Sequence, residues 1–436
     1  MRHALERVIV TEADSVKSWD FWQWLLLPFI VAMLTLSYLE GLSKIVVLYG
    51  LIISFLFLIY FIYNRLSMPP EVVVYFGWII WSIGGLSSAV DMDLYLQTLK
   101  TVIQIGILIF LVASITALRR NLSTAMLAIM IGGTIVAIST FYTGEFQEIP
   151  SINAKARAAG MTENANEFAY VLLFVAIASA YFAKRKSSLW WRFFIVAASL
   201  MSFVGILYSG SRKGFLSLLV FIFLWWLFCR ERRAAANPLK GMLILFLLLG
   251  GIYLCVDYVI SDTYLGQRLQ DLDNSGDENR LQMYKDGFEM IVSHPIFGVG
   301  LNNYKVFSTS GLYSHSDYIE VASNTGLIGF ILYFSIYFIV WSRLNQLKRL
   351  TCDPQISYTV GLFKASIITM LLVGFGRPNI NSKLTWIFLA SAIGYSWATR
   401  RFLLRAIYTM RNDAASAAFM HDRSDAATFA GRKSNK

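Results

Sequence analysis

Apolar residues along this chain come in blocks of roughly 18 to 24, set apart by short polar gaps, with no period-two alternation. A helix of that length crosses the hydrocarbon core of a bilayer. Within lipid only helices and closed barrels satisfy their own backbone groups, and the lack of alternation removes the barrel. The fold class is therefore an all-α polytopic membrane protein. The blocks predict about twelve spans, near 22–39, 43–63, 71–90, 98–118, 123–142, 167–183, 190–208, 214–229, 241–260, 318–342, 357–375 and 384–402. A mostly polar segment, 1–21, precedes the membrane domain 22–402, and no small-residue site after the first block suggests a cleaved signal peptide. The tail 403–436 becomes small and polar from about 411 and is expected to be disordered.

Charge sets the expected orientation. Only 15% of the 436 residues are charged, against about 25% in soluble domains. The net charge of +11 comes largely from short basic clusters between apolar blocks. These clusters read as topology determinants rather than a nucleic-acid face, so no nucleic-acid partner is expected. With the N-terminus inside, Arg65, Arg119–Arg120, "KRK" at 184–186, "RERR" at 230–233, Lys348–Arg349 and the basic tail all lie on the cytoplasmic side. An even number of spans returns the C-terminus there. The cysteines at 229, 255 and 352 lack metal-ligand spacing and read as free and structural.

Three polar stretches then fall outside: 143–166, "SGSRK" at 209–213, and 261–317. The last is too long to be structureless in a compact domain. Within it, Leu281, Tyr284, Phe288 and Ile291 recur at helical spacing, which predicts an amphipathic helix ending at Pro295 and "GVG". Such a helix lies on the bilayer or caps the bundle.

Each of these stretches carries candidate chemistry. Arg212 reads either as an arginine reaching to the interface or as an anion site, since guanidinium binds phosphate bidentately. Arg280 opens the amphipathic helix, where the dipole disfavours a cation; it either pairs with Asp277 or Glu278 or meets an anion. Arg157 precedes Asn164 and Asn166, which read as helix caps or as a lining for sugar hydroxyls. His315 stands at an outer membrane edge among polar groups and can take a proton from a hydroxyl near neutral pH. Asp317 and Glu320 are alternative bases, or they orient the histidine. Gly326 and Gly329 read as close helix packing. Lys364 lies inside a span and Arg377 just beyond it, neither with neighbours that define a role.

Four of these motifs together resemble the bacterial O-antigen ligase and polysaccharide polymerase superfamily. "HSDYIEVASNTGLIG" (315–329) is similar to its histidine motif, His, then Asn, Ser or Gln, nine residues, then Gly-x-x-Gly. "SRKGFL" (211–216) resembles its Arg-x-x-x-Leu motif, and "ENRLQMYKDGFEMIVSHPIFGVGLNNY" (278–304) its periplasmic-loop signature, with Arg280 at the arginine position. "RAAGMTENANEFA" (157–169) is similar to an earlier element, with Ala165 in place of a proline between the asparagines. The resemblance covers about 157–345; the first five spans match in hydropathy alone.

The resemblance implies a glycosyltransferase of the inner membrane that needs no metal or cofactor. It moves a glycan from undecaprenyl diphosphate to an acceptor at the periplasmic face. A ligase uses lipid A–core as acceptor, in lipopolysaccharide biosynthesis; a polymerase uses another lipid-linked glycan. In this reading Arg212 and Arg280 bind the diphosphate with Arg157 assisting. His315 and Arg280 are catalytic, and Asn164, Asn166, Asp317 and Tyr318 bind sugar or orient the base. A flippase for the same lipid is the rival class. It would need symmetric halves and polar residues along a whole path, whereas here they gather near one face.

Overall fold

The computed structural model describes residues 20–39, 41–119, 122–144, 146–147, 157–162, 164–185, 188–229, 276–351 and 353–433. In chain order the helices are α1 (Phe21–Thr35), α2 (Leu42–Tyr63), α3 (Pro70–Ile83), α4 (Met92–Arg119), α5 (Ser123–Thr143), α6 (Ala165–Ala183), α7 (Leu189–Tyr208) and α8 (Arg212–Cys229). After the undescribed stretch come α9 (Gly276–Ser293), α10 (Tyr304–Phe307), α11 (Asp317–Leu350), α12 (Pro354–Gly374) and α13 (Lys383–Lys433). The only strands among the described residues are β1 (Phe146–Gln147) and β2 (Arg157–Ala158), a two-residue antiparallel pair. The protein is an all-α polytopic membrane protein.

Ten described helices are long and apolar enough to cross a membrane, and they coincide with ten of the expected spans. The expected span 241–260 lies outside the described residues, as do Cys255 and Cys352. The expected span 384–402 is helical but is not among those ten; Lys383, Arg400 and Arg401 crowd its ends, and it carries Thr385, Ser391, Ser396 and Thr399 within. All four are buried. This segment packs inside the bundle against α4 and meets little lipid, so composition is free to be less apolar. By contrast α2 turns Ile45, Leu48, Ile52, Phe55 and Ile62 outward, as a lipid-facing helix does. The tail departs from the expected disorder: α13 continues to Lys433. Alanine, the strongest helix former, recurs through 414–418 and 426–430 and extends the helix.

The long helix α11 determines how the polar segments are held. Its 34 residues exceed one span, and it breaks at Gly326, where φ is 70° and ψ 179°. That backbone region is essentially glycine's alone. The break exposes backbone groups that a continuous helix would pair, and the segment 295–300 pairs them instead. Leu327 N donates to Pro295 O (2.9 Å), Val299 N to Ser323 O (2.8 Å) and Gly300 N to Asn324 O (3.2 Å). Trp81 of α3 adds its Nε1–H to Thr325 O (3.2 Å) and stacks on Phe297 at 4.7 Å. The contact is close enough that a Cβ on Gly326 would lie 2.0 Å from Ile296 O, and one on Gly298 2.4 Å from Ser323 O. Gly326 is therefore the seat of a docked loop rather than the helix–helix packing expected of it; Gly329, beside Trp81, does pack against α3.

Helix α9 rests on α11 through Met283, Asp286, Gly287 and Met290, all buried. Of its expected apolar stripe, Leu281 and Phe288 are exposed, together with Val292, while Tyr284 and Ile291 are half-buried. Asp286 accepts from Gln282 Nε2 (2.7 Å), Thr309 N (2.9 Å) and Thr309 Oγ1 (2.8 Å), tying α9 to the connection that follows α10. Burial alone would push the Asp286 carboxyl up, but these hydrogen bonds, Thr309's foremost, outweigh it and hold it below the usual range. Asn303 fastens the same loop to the α3–α4 corner, accepting from Val90 N (3.0 Å) and Asp91 N (2.8 Å).

The connections before α4, α6, α8, α11 and α13 thus meet at one end of the bundle, called upper below. At the lower end the buried charges are matched. Arg343 pairs with Glu71 at 2.8 Å, its guanidinium 5.0 Å from the Trp397 ring. Lys364 donates to Asn345 and sits 5.0 Å from the Trp341 ring, which accounts for a charge inside a span.

Replacing Gly326 with alanine is expected to cost ~1–3 kcal/mol of stability for the backbone region alone, and so to lower the thermal unfolding midpoint in detergent. Gly77→Ala, where nothing lies within 4 Å of the new Cβ, is the control and should leave the midpoint unchanged.

Candidate active site

The upper end gathers the sequence-predicted cations in two linked layers. In the first, β2 brings Arg157 against the turn between α7 and α8. Arg157 Nε donates to Ser209 O at 2.9 Å, and its NH2 to Asn166 Oδ1 at 3.3 Å. Asn166 Oδ1 also accepts from Ser211 Oγ at 2.8 Å, and Ser211 Oγ in turn accepts from Gly214 N at 3.2 Å. Ser211 thus caps α8 and fixes where Arg212 and Lys213 emerge. The two asparagines divide the roles expected of them. Asn164 caps α6, accepting from Asn166 N (2.9 Å) and Glu167 N (3.4 Å). Asn166 bridges Arg157 to the α8 start.

In the second layer Lys213 donates to Gly376 O, joining the start of α8 to the α12–α13 connection. Lys213 lies within the electrostatic field of both Arg280 and Arg212. Arg280 is exposed at the start of α9; the side chains of Asp277 and Glu278, its expected partners, lie outside the described residues. Tyr284, one turn along, donates to Phe375 O at 3.1 Å and fixes α9 over this connection.

His315 faces the same cations. Burial pushes its pKa below the usual histidine value, and the positive charges of Lys213 and Arg280 push it further down. The imidazole is accordingly neutral near pH 7. Its backbone is left-handed (φ 55°), uncommon for a residue with a side chain. The turn is held by Ser314 and Glu320. The Glu320 carboxylate accepts from Ser314 N (2.9 Å) and Ser314 Oγ (2.7 Å), and its other oxygen from Asn324 Nδ2 (3.0 Å). Asn324 Oδ1 accepts from Tyr304 N at 3.1 Å, so this chain of contacts runs from the histidine turn into the docked loop. The Tyr313 ring lies 4.2 Å from the imidazole. Strained backbone clusters at functional sites, and this one is over-determined by four buried groups.

Asp317 and Tyr318 point elsewhere. Asp317 accepts from Asn379 N (2.7 Å) and Tyr333 OH (3.3 Å), and Tyr318 donates to Leu371 O (2.8 Å) while stacking on Phe334. Both bind α11 to α12 and the connection after it. Glu320 is fully engaged as an acceptor; of the carboxylates near the histidine, it orients the turn.

Two participants were not assigned from sequence. Lys213 is visible only as the neighbour of Arg212 in "SRK". Arg377 pairs with Glu167, lies 4.0 Å from the Tyr170 ring, and acts electrostatically on Tyr313. Its partner is 210 positions away in sequence, so no local pattern pointed to it.

Residues 197–334 match the family model described as O-antigen ligase. The chain carries an O-antigen ligase domain. This bears out the resemblance to the O-antigen ligase and polymerase superfamily and indicates a membrane glycosyltransferase-type enzyme. The domain runs from within α7 through α8 and α9 into α11, and so includes Arg212, Lys213, Arg280, His315 and the Gly326 break. Arg157, Asn166 and Arg377 lie outside the matched stretch; Arg157 and Asn166 reach it through Ser209 and Ser211, and Arg377 through its charge near Tyr313. No curated protein matches the chain.

Glu320→Gln replaces one acceptor oxygen by a donor and leaves Ser314 or Asn324 without its partner. It is expected to cost about 1–3 kcal/mol of stability. It should also speed limited proteolysis within 309–316, while fragments from α12 appear at the wild-type rate.

Proposed function

We propose that the protein transfers a glycan from undecaprenyl diphosphate to an acceptor hydroxyl on the periplasmic side of the inner membrane, with lipid A–core as the acceptor. The observation that carries this reading is the convergence of Lys213 and Arg280 on His315, with Arg212 beside them. Cations held together repel one another, and an anion between them relieves the repulsion. A diphosphate fits, because guanidinium groups take its oxygens in bidentate hydrogen bonds.

In the reaction the acceptor hydroxyl oxygen attacks the anomeric carbon of the first sugar. The bond from that carbon to the diphosphate oxygen breaks, and its electron pair leaves with the lipid diphosphate. Arg212, Arg280 and Lys213 meet the charge that develops there, with Arg157 behind them bracing the start of α8. The hydroxyl proton passes to His315, which is poised for it because burial and the neighbouring cations keep the imidazole neutral. Asn166 stands at the edge of the same group of residues, where sugar hydroxyls would pass. The basic clusters at the lower end favour a cytoplasmic position for that end, which puts the upper end outside.

Transfer of a labelled glycan from the diphosphate lipid to purified lipid A–core tests this. His315→Ala and Arg280→Ala are each expected to lower the rate at least about a hundred-fold. Full activity in both variants overturns the assignment. Growth of the lipid-linked glycan with no lipid A–core product replaces the ligase reading with a polymerase.

The acid limb of kcat/KM reports the base in the free enzyme. A lowered histidine pKa means the base stays neutral to lower pH, so the limb is expected below 6.5. Lys213→Met removes one lowering charge and should move that limb upward.

A further inference from the structure

Helix α9 has three faces rather than two. Its inner face, Met283, Asp286, Gly287 and Met290, is buried against α11. At roughly 100° per residue, Leu281, Phe288 and Val292 share a strip about 40° wide on the outside, and Gln282, Glu289 and Ser293 share another about 100° further round. All six are exposed, the three apolar ones by 57–64%. Contacts fix which way each strip looks. Tyr284, at the edge of the apolar strip, donates to Phe375 O at 3.1 Å, where α12 ends; Phe375 and Leu372 are exposed there. On the polar side Gln282 meets Asp286, which also accepts from Thr309 N in the exposed connection 309–313. Past the far end of α9, Ile296 is exposed and Phe297 stacks on Trp81 of α3. Pro295 O accepts from Leu327 N, so this end lies beside Leu327 and Ile331, exposed on α11. The apolar strip thus runs from the upper edge of α12 to the upper edges of α3 and α11, all three of them membrane spans.

We propose that this strip is a membrane-binding surface: α9 lies along the leaflet at the upper end, with Leu281, Phe288 and Val292 among the acyl chains and Gln282, Glu289 and Ser293 in water. A row of exposed apolar side chains calls for a partner. Here the row abuts surfaces that already face lipid, so the acyl chains that cover Leu372, Phe375, Leu327 and Ile331 continue onto it. A helix with one apolar and one polar side rests at the boundary between headgroups and acyl chains. Lys285 stands between the two strips, where its stem can lie along the apolar side while its head reaches water. Trp81, in the same zone, suits the preference of indole rings for that boundary. The helix is therefore fastened twice, to α11 by its inner face and to the leaflet by its apolar strip. Arg280, at its start, is held at the level of the lipid headgroups. None of this depends on the chain being a transferase.

The test places the photoreactive amino acid benzoylphenylalanine, one position at a time, at Leu281, Phe288 and Val292 and at Gln282, Glu289 and Ser293 of the full-length protein in phosphatidylcholine nanodiscs. All six side chains are exposed, so no replacement disturbs the packed inner face, and the result does not depend on one variant folding. After irradiation, lipid adducts at the first three positions are expected at least about ten-fold above those at the second three. Equal adducts on both sets, or none on the first, overturn the proposal. So do cross-links from the first set to residues 230–275 of the same chain or to a second copy, either of which would then be what covers the strip. The readout needs no transfer assay, so its outcome stands apart from the transferase reading.

Discussion

Everything at the upper end depends on a broken helix whose backbone is completed by a loop. A gap in helical hydrogen bonding within a membrane domain persists only where other protein groups fill it. Here α11 opens at Gly326, and residues 295–300 supply the missing partners, with Trp81 closing one more. The loop is held by main-chain bonds at both flanks of the break, so it has little freedom to slide. Helix α9 is attached just before it and the histidine turn begins shortly after it. One docking contact therefore fixes Arg280 and His315 against the cations of α8.

The two ends of the bundle treat charge differently. At the lower end Glu71 and Arg343 are buried as a pair, and Lys364 has an amide oxygen and an indole ring. Each of these charges is compensated by a partner within the fold. At the upper end Lys213 meets the fields of two arginines, and His315 is kept neutral first by burial and then by the charges of Lys213 and Arg280. Like charges brought together by backbone geometry are a poor solution for stability alone, and a sound one for gripping a diphosphate.

Much of this was legible in the residues. Hydropathy located ten described spans, because lipid-facing helices such as α2 must be apolar along one whole side. It gave a weaker signal for 384–402, whose buried serines and threonines answer to neighbouring helices instead. Spacing identified α9 as a helix but not which face packs inward: Leu281 and Phe288 face outward, while the inner face is built on Asp286 and Gly287. The motif around His315 named the right neighbourhood. Its glycine at 326 carried more than packing, since only the fold reveals that Ile296 O occupies the space of a side chain. Arg377 stayed without a role in sequence because its partner Glu167 lies across the bundle, 210 positions away.

The most direct measurement is hydrogen–deuterium exchange across 295–301 and 326–328 in the intact protein in nanodiscs. Docking at the break predicts that the amides of Val299, Gly300 and Leu327 are protected to nearly the same degree as those of the buried helix α6. Exchange as fast as in the exposed segment 310–313 would mean that the loop is not seated, and the site as described would not be assembled.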